Sequence, residues 1–351
     1  MEPPDAEGVV AAAQQLADEL LWPASTEVDQ ASRIPLGHFK AIAELGLYGM
    51  VVPVEAGGLG FNPPTVRRIL RILASGCGAT SFAFAQHHGT VASVAATDNR
   101  GLADRRLPGL IDDRLAGIAY AHMRRPGPPV LTATPDGDGW TFDGVAPWVT
   151  SWGTAEVMAV AAATDDGRLV WALVPAVEGG GLAEAGTFDL MVFGATQTVA
   201  LSFDRFAVGP ELVLDVVDRD RWADGDRFLA ARPNPLCLGI SDRAMRQLAV
   251  AAPELAAELE PWWQAVGDRA EQQAGAVDDR SAELGQVAAA RAEVLMAVQR
   301  LTTAPLAATG GGAMERSHPG QRLSREALFY VIQAQSADGR AAVFEHLIAG
   351  R

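Results

Sequence analysis

The spacing of hydrophobic residues changes twice along the chain. In the first region Val9, Ala13, Leu16 and Leu20 recur every three or four positions, which is the spacing of one buried helix face. The segment 81–96 is apolar on nearly every side, which is typical of a helix packed between other helices. The first part of the chain is therefore predicted to be helical.

From about Leu115 the pattern becomes one of short strands. The runs are separated by sequences such as Asp136-Gly137 and Asp143-Gly144, which form tight turns because glycine adopts positive φ at little cost. Short strands at regular spacing predict a small antiparallel β-barrel or sandwich. The predicted strands are Leu115–Ala121, Val130–Thr134, Trp140–Val145, Val157–Ala162, Leu169–Val174 and Thr198–Phe203.

After Asp218 the helical pattern returns. Long stretches rich in Ala, Leu, Arg and Glu are interrupted only by Pro253 and by the glycines at 310–312. The predicted order is an α+β chain with segregated layers: an N-terminal helical domain (1–113), a middle antiparallel β-domain (114–218) and a C-terminal helical bundle (219–351). The predicted bundle helices are Leu236–Leu248, Pro253–Ala265, Ala282–Thr303 and Gln321–Leu347.

Composition narrows the possible partners. The chain has 351 residues, with 28 basic and 43 acidic side chains and a net charge of -15, which argues against nucleic acid or an anionic membrane as partner. Two cysteines, Cys77 and Cys237, cannot build a disulfide framework or a zinc ribbon. Neither C-x-x-C nor H-E-x-x-H occurs, so no metal site is expected. The acidic start has no signal-peptide pattern, and apolar runs such as 157–163 are too short to cross a bilayer. We expect a cytoplasmic protein without membrane insertion.

Four segments carry the most specific signal. Glu44–Gly60 contains a helix end at Gly46 followed by a glycine-rich turn, and by itself this is a structural feature. Together with three later segments it resembles the acyl-CoA dehydrogenase superfamily, in that family's order and over almost the whole chain. The later segments are Pro147–Ser151, Leu201–Gly209, and Gly310–Ala313 with Pro319–Ala327. Nucleotide-binding, P-loop and zinc-protease motifs have no match.

The resemblance implies an FAD enzyme of fatty-acid metabolism. Such enzymes remove an α-proton from an acyl thioester such as an acyl-CoA, pass a hydride to flavin N5, and hand the electrons to a transfer partner. Trp148 would cover a flavin face, with Thr150 at the ring edge and Ser151 nearby. The alternative interpretation is a core tryptophan beside an edge threonine. The family also implies a homodimer or homotetramer.

The sequence departs from the family at the catalytic base. The family's glutamate, counted from Arg325, falls on Ala334 between two glutamines. Asp226 lies near a second family position for the base, but its spacing is not the family's, and surface solvation is the favoured explanation of its charge. Glu326 is expected to pair with Arg322 or Arg325.

The flavin-contacting loop also differs. Tyr120–Gly127 replaces the family's loop, so that Ala121 and His122 would face flavin and Arg124 would face substrate. Ala307 or Ala308 stands where the family has a glutamine that holds the ADP end, which leaves FAD without that contact.

Histidines offer another acid–base group. His87, His88 and His122 lie in segments that border the flavin and acyl pocket in the family, and His87 is also a candidate substrate contact. The alternative is that His87 and His88 cap and pack a helix end. His38, His318 and His346 are expected at the surface.

Three functions follow from these observations. The first is an acyl-CoA dehydrogenase with an unidentified base. The second is a monooxygenase on the same fold that uses reduced flavin, FMN being possible, supplied by a flavin reductase. The third is a non-catalytic subunit that forms a hetero-oligomer with a paralogous dehydrogenase chain.

Overall fold

Helices occupy the first part of the chain in a computed structural model that describes residues 5–349. Asp5 caps the N-terminus of the first helix, because its carboxylate accepts a hydrogen bond from the Gly8 amide (3.0 Å), and Asn62 caps the fourth by accepting from the Thr65 amide (2.9 Å). A π-helical stretch, Ala17–Leu21, joins the first two helices. The helices are α1 (Ala6–Leu16), α2 (Trp22–Gln30), α3 (Leu36–Glu44), α4 (Pro63–Gly76), α5 (Gly78–Ala96) and α6 (Arg100–Asp112).

The middle of the chain forms a mixed sheet. Within the described residues its order is β6-β7-β3-β2-β4-β5-β8, and β1 pairs with β4. The β1–β4 and β2–β4 pairings are parallel and the others are antiparallel, which corrects the expectation of wholly antiparallel pairing. The reason is that the connection 120–130 returns the chain before β2 begins, so β1, β2 and β4 run in one direction. The strands are β1 (Ala116–Ala119), β2 (Leu131–Asp136), β3 (Gly139–Val149), β4 (Val157–Ala163), β5 (Arg168–Pro175), β6 (Leu182–Thr187), β7 (Val199–Val208) and β8 (Val213–Asp218).

The chain then forms a second group of helices. The long segment predicted over 321–347 is two helices, because the chain turns at Gln333–Ser336, where Ala334 has a φ of 51°. The helices are α7 (Arg219–Ala231), α8 (Pro235–Ala251), α9 (Pro253–Asp278), α10 (Leu284–Thr309), α11 (Pro319–Ile332) and α12 (Ala337–Ala349). In the described residues no helix is long and apolar enough to cross a membrane.

Three apolar clusters hold these layers together. The largest joins N-terminal to C-terminal helices and includes Phe82, Leu238 and Val298. A second lies on one face of the sheet, and a third joins α5 and α6 to the opposite face. Helical, sheet and helical layers therefore pack directly on one another, as expected for this fold class. The exact domain boundaries stay a prediction.

His38 is not at the surface as expected. Its side chain is buried, and its Nδ1 lies 2.9 Å from the Thr80 hydroxyl. The reason is that α3 buries the face that carries His38, Phe39 and Ile42.

Candidate functional site

A cavity of about 400 Å³ lies where the N-terminal helices, the sheet and the C-terminal bundle meet. Helix α5 contributes Phe82 and Gln86, the sheet side contributes the largest group, and α11 and α12 close the remaining side. Its lining consists of Phe82, Gln86, Ile118, Tyr120, Ala121, Arg124, Arg125, Pro126, Trp148, Thr150, Leu190, Phe193, Thr198, Phe329, Ile332, Gln333, Ala334, Gln335 and Arg340.

Trp148 presents one indole face to this cavity. The pairing of β3 with β7 is irregular between Ala146 and Val149, and Trp148 has a φ of 62°, so a bulge re-aims its side chain. Phe188 stacks on one face, with ring centroids 4.1 Å apart and planes 5° apart. Because Phe188 does not line the cavity and the indole is 49% exposed, the other face is available to a flat ligand.

Thr150 lies at the end of a chain of hydroxyl groups. Thr196 donates to the Phe193 carbonyl (2.7 Å), and that uses its hydrogen. Thr198 must then donate to Thr196 (3.0 Å), and Thr150 to Thr198 (3.1 Å). Thr150 consequently offers only oxygen lone pairs to the cavity, which suits a ligand N–H or O–H.

Of the other residues predicted to contact flavin, one lines the cavity and two do not. Ala121 lines the cavity. Ser151 and His122 are both buried and outside the lining. The Ser151 backbone amide donates to the Thr196 carbonyl (2.9 Å), which fixes the end of β3.

Arg124 and Asp226 form a buried pair beside the cavity. The guanidinium makes two hydrogen bonds of 2.7 Å to the carboxylate and one of 3.2 Å to the Tyr120 hydroxyl. Burial alone would lower the pKa of Arg124, but the hydrogen bonds and charge of Asp226 more than offset it and leave that pKa raised. Both oxygens of Asp226 are committed to Arg124, so this carboxylate anchors the loop 120–126 to α7.

The three candidate histidines do not converge on the cavity. His87 is fully buried, donates from Nε2 to the Tyr48 carbonyl (3.0 Å) and accepts at Nδ1 from the Ala116 amide (3.1 Å). His88 packs edge-on against Phe84, and both of its ring nitrogens lack a hydrogen-bond partner within the described residues. His122 donates from Nε2 to the Ala161 carbonyl (2.9 Å).

Burial keeps these histidines neutral. It lowers the pKa of His87 and of His122 to about 4, and that of His88 well below its ordinary value. None of the three lines the cavity. Their geometry is that of packing residues in the layer that joins α5 to the sheet.

The turn between α11 and α12 contributes Gln333, Ala334 and Gln335 to the lining. This is the place at which the resemblance puts the catalytic glutamate, and no aspartate or glutamate lines the cavity within the described residues. Glu326 is buried about two turns of α11 before this turn, and it pairs with Arg322 (2.7 Å) rather than Arg325. Burial raises the pKa of Glu326 despite that partner.

Arg291 positions this turn, and sequence analysis did not identify it as a site residue. Its guanidinium donates to the Gln333 carbonyl (2.6 Å) and to the Arg232 carbonyl (3.1 Å), which are the C-terminal caps of α11 and α7. A buried cation is favourable at two helix C-termini because their carbonyl groups carry partial negative charge. Asn234 further orients the Gln333 side chain (3.2 Å).

Known proteins support the family suggested by the sequence. Residues 3–113 match the family model described as acyl-CoA dehydrogenase, N-terminal domain. The solved butyryl-CoA dehydrogenase of Megasphaera elsdenii superposes with a TM-score of 0.81, at 16% identity and over 98% of both chains. This chain is therefore similar to the acyl-CoA dehydrogenase superfamily in sequence over its N-terminal third and in fold over nearly its whole length. Its helix–sheet–helix architecture is therefore the acyl-CoA dehydrogenase fold.

Other relatives show how far the sequence has diverged. The short-chain specific acyl-CoA dehydrogenase of Rattus norvegicus is 23% identical over 211 residues, which are 57% of this chain and 51% of that protein. The chain thus spans about half the length of this curated relative. Dibenzothiophene monooxygenase TdsC of Paenibacillus sp. A11-2 superposes with a TM-score of 0.80, at 20% identity and over 98% of both chains. The fold therefore carries more than one chemistry.

Proposed function

We propose that this protein is a flavin-binding oxidoreductase subunit of the acyl-CoA dehydrogenase type, and that the base for α,β-dehydrogenation of its acyl thioester comes from a partner chain. The observation that carries the proposal is a cavity that keeps Trp148 and Thr150 but has no carboxylate in its described lining. The partner would be a paralogue in a hetero-oligomer.

The described residues fit a flavin ring. A flat apolar ring can stack on the free face of Trp148, and the lone pairs of Thr150 can accept from an N–H at its edge. Gln333 accepts from Asn234 through its oxygen, so its amide N–H groups are free to donate into the cavity. When bound, flavin would supply the hydride acceptor, and an electron-transfer protein would reoxidise it.

Proton removal is the step that this cavity does not support. An α-proton of a thioester needs a positioned base, and the amides of Gln86, Gln333 and Gln335 are not bases near neutral pH. The cavity can still exclude water and bind an acyl chain. Phe82, Phe193 and Phe329 form an apolar wall that excludes water and suits an acyl chain.

Anaerobic absorbance titration tests this proposal. The wild-type chain, purified alone and loaded with flavin, should not bleach when a panel of acyl-CoA thioesters is added. Ala334→Glu, which puts a carboxylate into the lining, should bleach measurably. Ala341→Glu, on the exposed side of α12, is the matched control and should behave like wild type.

The same experiment can contradict the proposal. Bleaching of the wild-type chain alone would place a working base within it. A chain that binds no flavin, alone or with any co-expressed paralogue, would remove the flavin assignment. Loading by FAD and by FMN in parallel identifies the flavin.

A second candidate is a monooxygenase that uses reduced flavin from a flavin reductase. The carboxylate-free lining favours it, since oxygen activation needs no α-proton base, and TdsC shows that a monooxygenase shares this fold. Oxygen consumption that depends on reductase and on an added acyl or aromatic substrate would support this function. Oxygen consumption that the substrate does not change would exclude it.

A further inference from the structure

We propose that Arg125 and Arg340 form a phosphate-binding site at the mouth of the cavity. This site deepens the proposed function and rests on it, because the phosphate would belong either to a flavin nucleotide or to a coenzyme A thioester. It starts from charge: the chain carries a net charge of -15, yet the described cavity lining contains three arginines and no acidic residue.

Of these three arginines, Arg124 alone is paired with a carboxylate among the residues that the structure describes. Asp226 compensates Arg124 with two hydrogen bonds. Arg125 and Arg340 are exposed, and neither forms a salt bridge with any residue in the range 5–349. The nearby Asp338 is paired with Arg227 (3.0 Å) and does not line the cavity. Among residues 5–349, therefore, two positively charged side chains of the lining have no carboxylate partner.

The two side chains come from different layers of the fold. Arg125 follows the short 3-10 turn Ala121–Arg124 and is held extended because Pro126 comes next. Arg340 lies in the first turn of α12, just after the cavity turn Gln333–Ser336. The loop that carries Arg125 is anchored by the Arg124–Asp226 pair, and the start of α12 is capped by Ser336, which accepts from the Gly339 amide (3.1 Å).

A phosphate group satisfies this arrangement best. Guanidinium groups bind phosphate through paired N–H donors, and Arg125 and Arg340 line the same cavity without a carboxylate partner among residues 5–349. A phosphate monoester carries up to two negative charges, which matches the two positive charges left at the mouth.

The test compares ligands that differ only in phosphate. Equilibrium titrations of the full chain would use riboflavin against FMN, butyryl-pantetheine against butyryl-CoA, and inorganic pyrophosphate alone. The variants are Arg125→Gln, Arg340→Gln and the double variant. Arg221→Gln, which removes an exposed arginine outside the lining, is the matched control.

The wild-type protein should bind one phosphate-bearing ligand about tenfold or more tightly than its phosphate-free analogue, since hydrogen bonds to charged groups contribute at this scale. The double variant should lose that ratio and keep its affinity for the phosphate-free analogue. The ratio should also shrink as salt is raised. Discrimination of FMN from riboflavin would identify the flavin phosphate, and discrimination of butyryl-CoA from butyryl-pantetheine would identify the coenzyme A phosphate.

Failure of this inference is distinguishable from failure of the proposed function. If neither flavin nor thioester binds, the proposed function fails, whereas pyrophosphate binding that the double variant abolishes would still support the site. If pyrophosphate does not bind and phosphate changes neither ligand's affinity, the site does not exist. A loss shown equally by Arg221→Gln would also overturn it, because the effect would then be one of net charge.

Discussion

Replacing Asp226 by asparagine should destabilise the protein rather than remove a catalytic base. The Asp226 and Arg124 side chains retain only 10% and 17% of their exposure, so the substitution leaves a guanidinium almost buried with no opposite charge. Breaking a buried ion pair costs about 3 to 5 kcal/mol of unfolding free energy. Because the Arg124–Asp226 pair keeps some exposure, we expect a loss of about 3 kcal/mol. That is on the order of a 100-fold change in the unfolding equilibrium.

Urea unfolding followed by tryptophan fluorescence measures this cost. Trp171 and Trp222 pack against Tyr120 beside the pair, so the signal reports on the same layer. Asp224→Asn, an exposed position two residues earlier, is the matched control and should change the unfolding free energy by less than about 0.5 kcal/mol.

A double variant separates charge from shape. Arg124→Met with Asp226→Leu should recover most of the lost stability, because two apolar side chains replace the pair without leaving a buried charge. An unfolding free energy of Asp226→Asn equal to that of the Asp224→Asn control would refute the reasoning. So would a double variant as unstable as the sum of its single changes.

Four further outcomes are expected. Trp148→Ala should weaken flavin binding by about tenfold, measured by fluorescence titration, because it removes the stacking face. Thr198→Val should free the Thr150 hydroxyl hydrogen, because it removes the acceptor of that hydrogen. The ratio of the affinities for oxidised and reduced flavin should then change, and an unchanged ratio would show that the hydroxyl chain does not affect flavin binding. Burial lowers the pKa of His87 and His122 from 6.5 to about 4, so the unfolded chain takes up protons at a higher pH than the folded chain does. As the pH is lowered from 6.5 to about 4, the free energy of unfolding in urea should therefore fall by about 1.4 kcal/mol per pH unit for each histidine. Arg291→Met should lower thioester affinity more than Arg291→Lys does, since lysine keeps a cation at the two helix ends, and equal effects would exclude this capping role.

Part of the fold could be predicted from the sequence because several elements have a distinctive hydrophobic pattern. Strands β4 and β5 are nearly continuous apolar runs, and α10 repeats buried residues at helical spacing. Strand β6 was missed because only Leu182 of its residues is buried, which leaves no alternation to detect. The break at Gln333–Ser336 was also missed, since the segment contains no proline or glycine.

Some residues of the candidate site could be predicted from the sequence, and others could not. Trp148 and Thr150 could be placed because a strand, a turn and a family resemblance coincide there, and the structure brings both to the cavity. Arg291 could not be identified, since its partners are backbone carbonyls 42 and 59 residues away that leave no trace in side-chain pattern. His87 could not be distinguished from a site histidine for the same reason, because both its partners are main-chain groups.

The most direct test of the account is the position of a flavin ring in a crystal structure of the flavin-loaded chain. We expect the ring on the face of Trp148 opposite Phe188, with an edge N–H donating to Thr150 and the turn at Gln333 beside it. A ring bound elsewhere, or Phe188 rotated into that space while the chain is saturated with flavin, would contradict it.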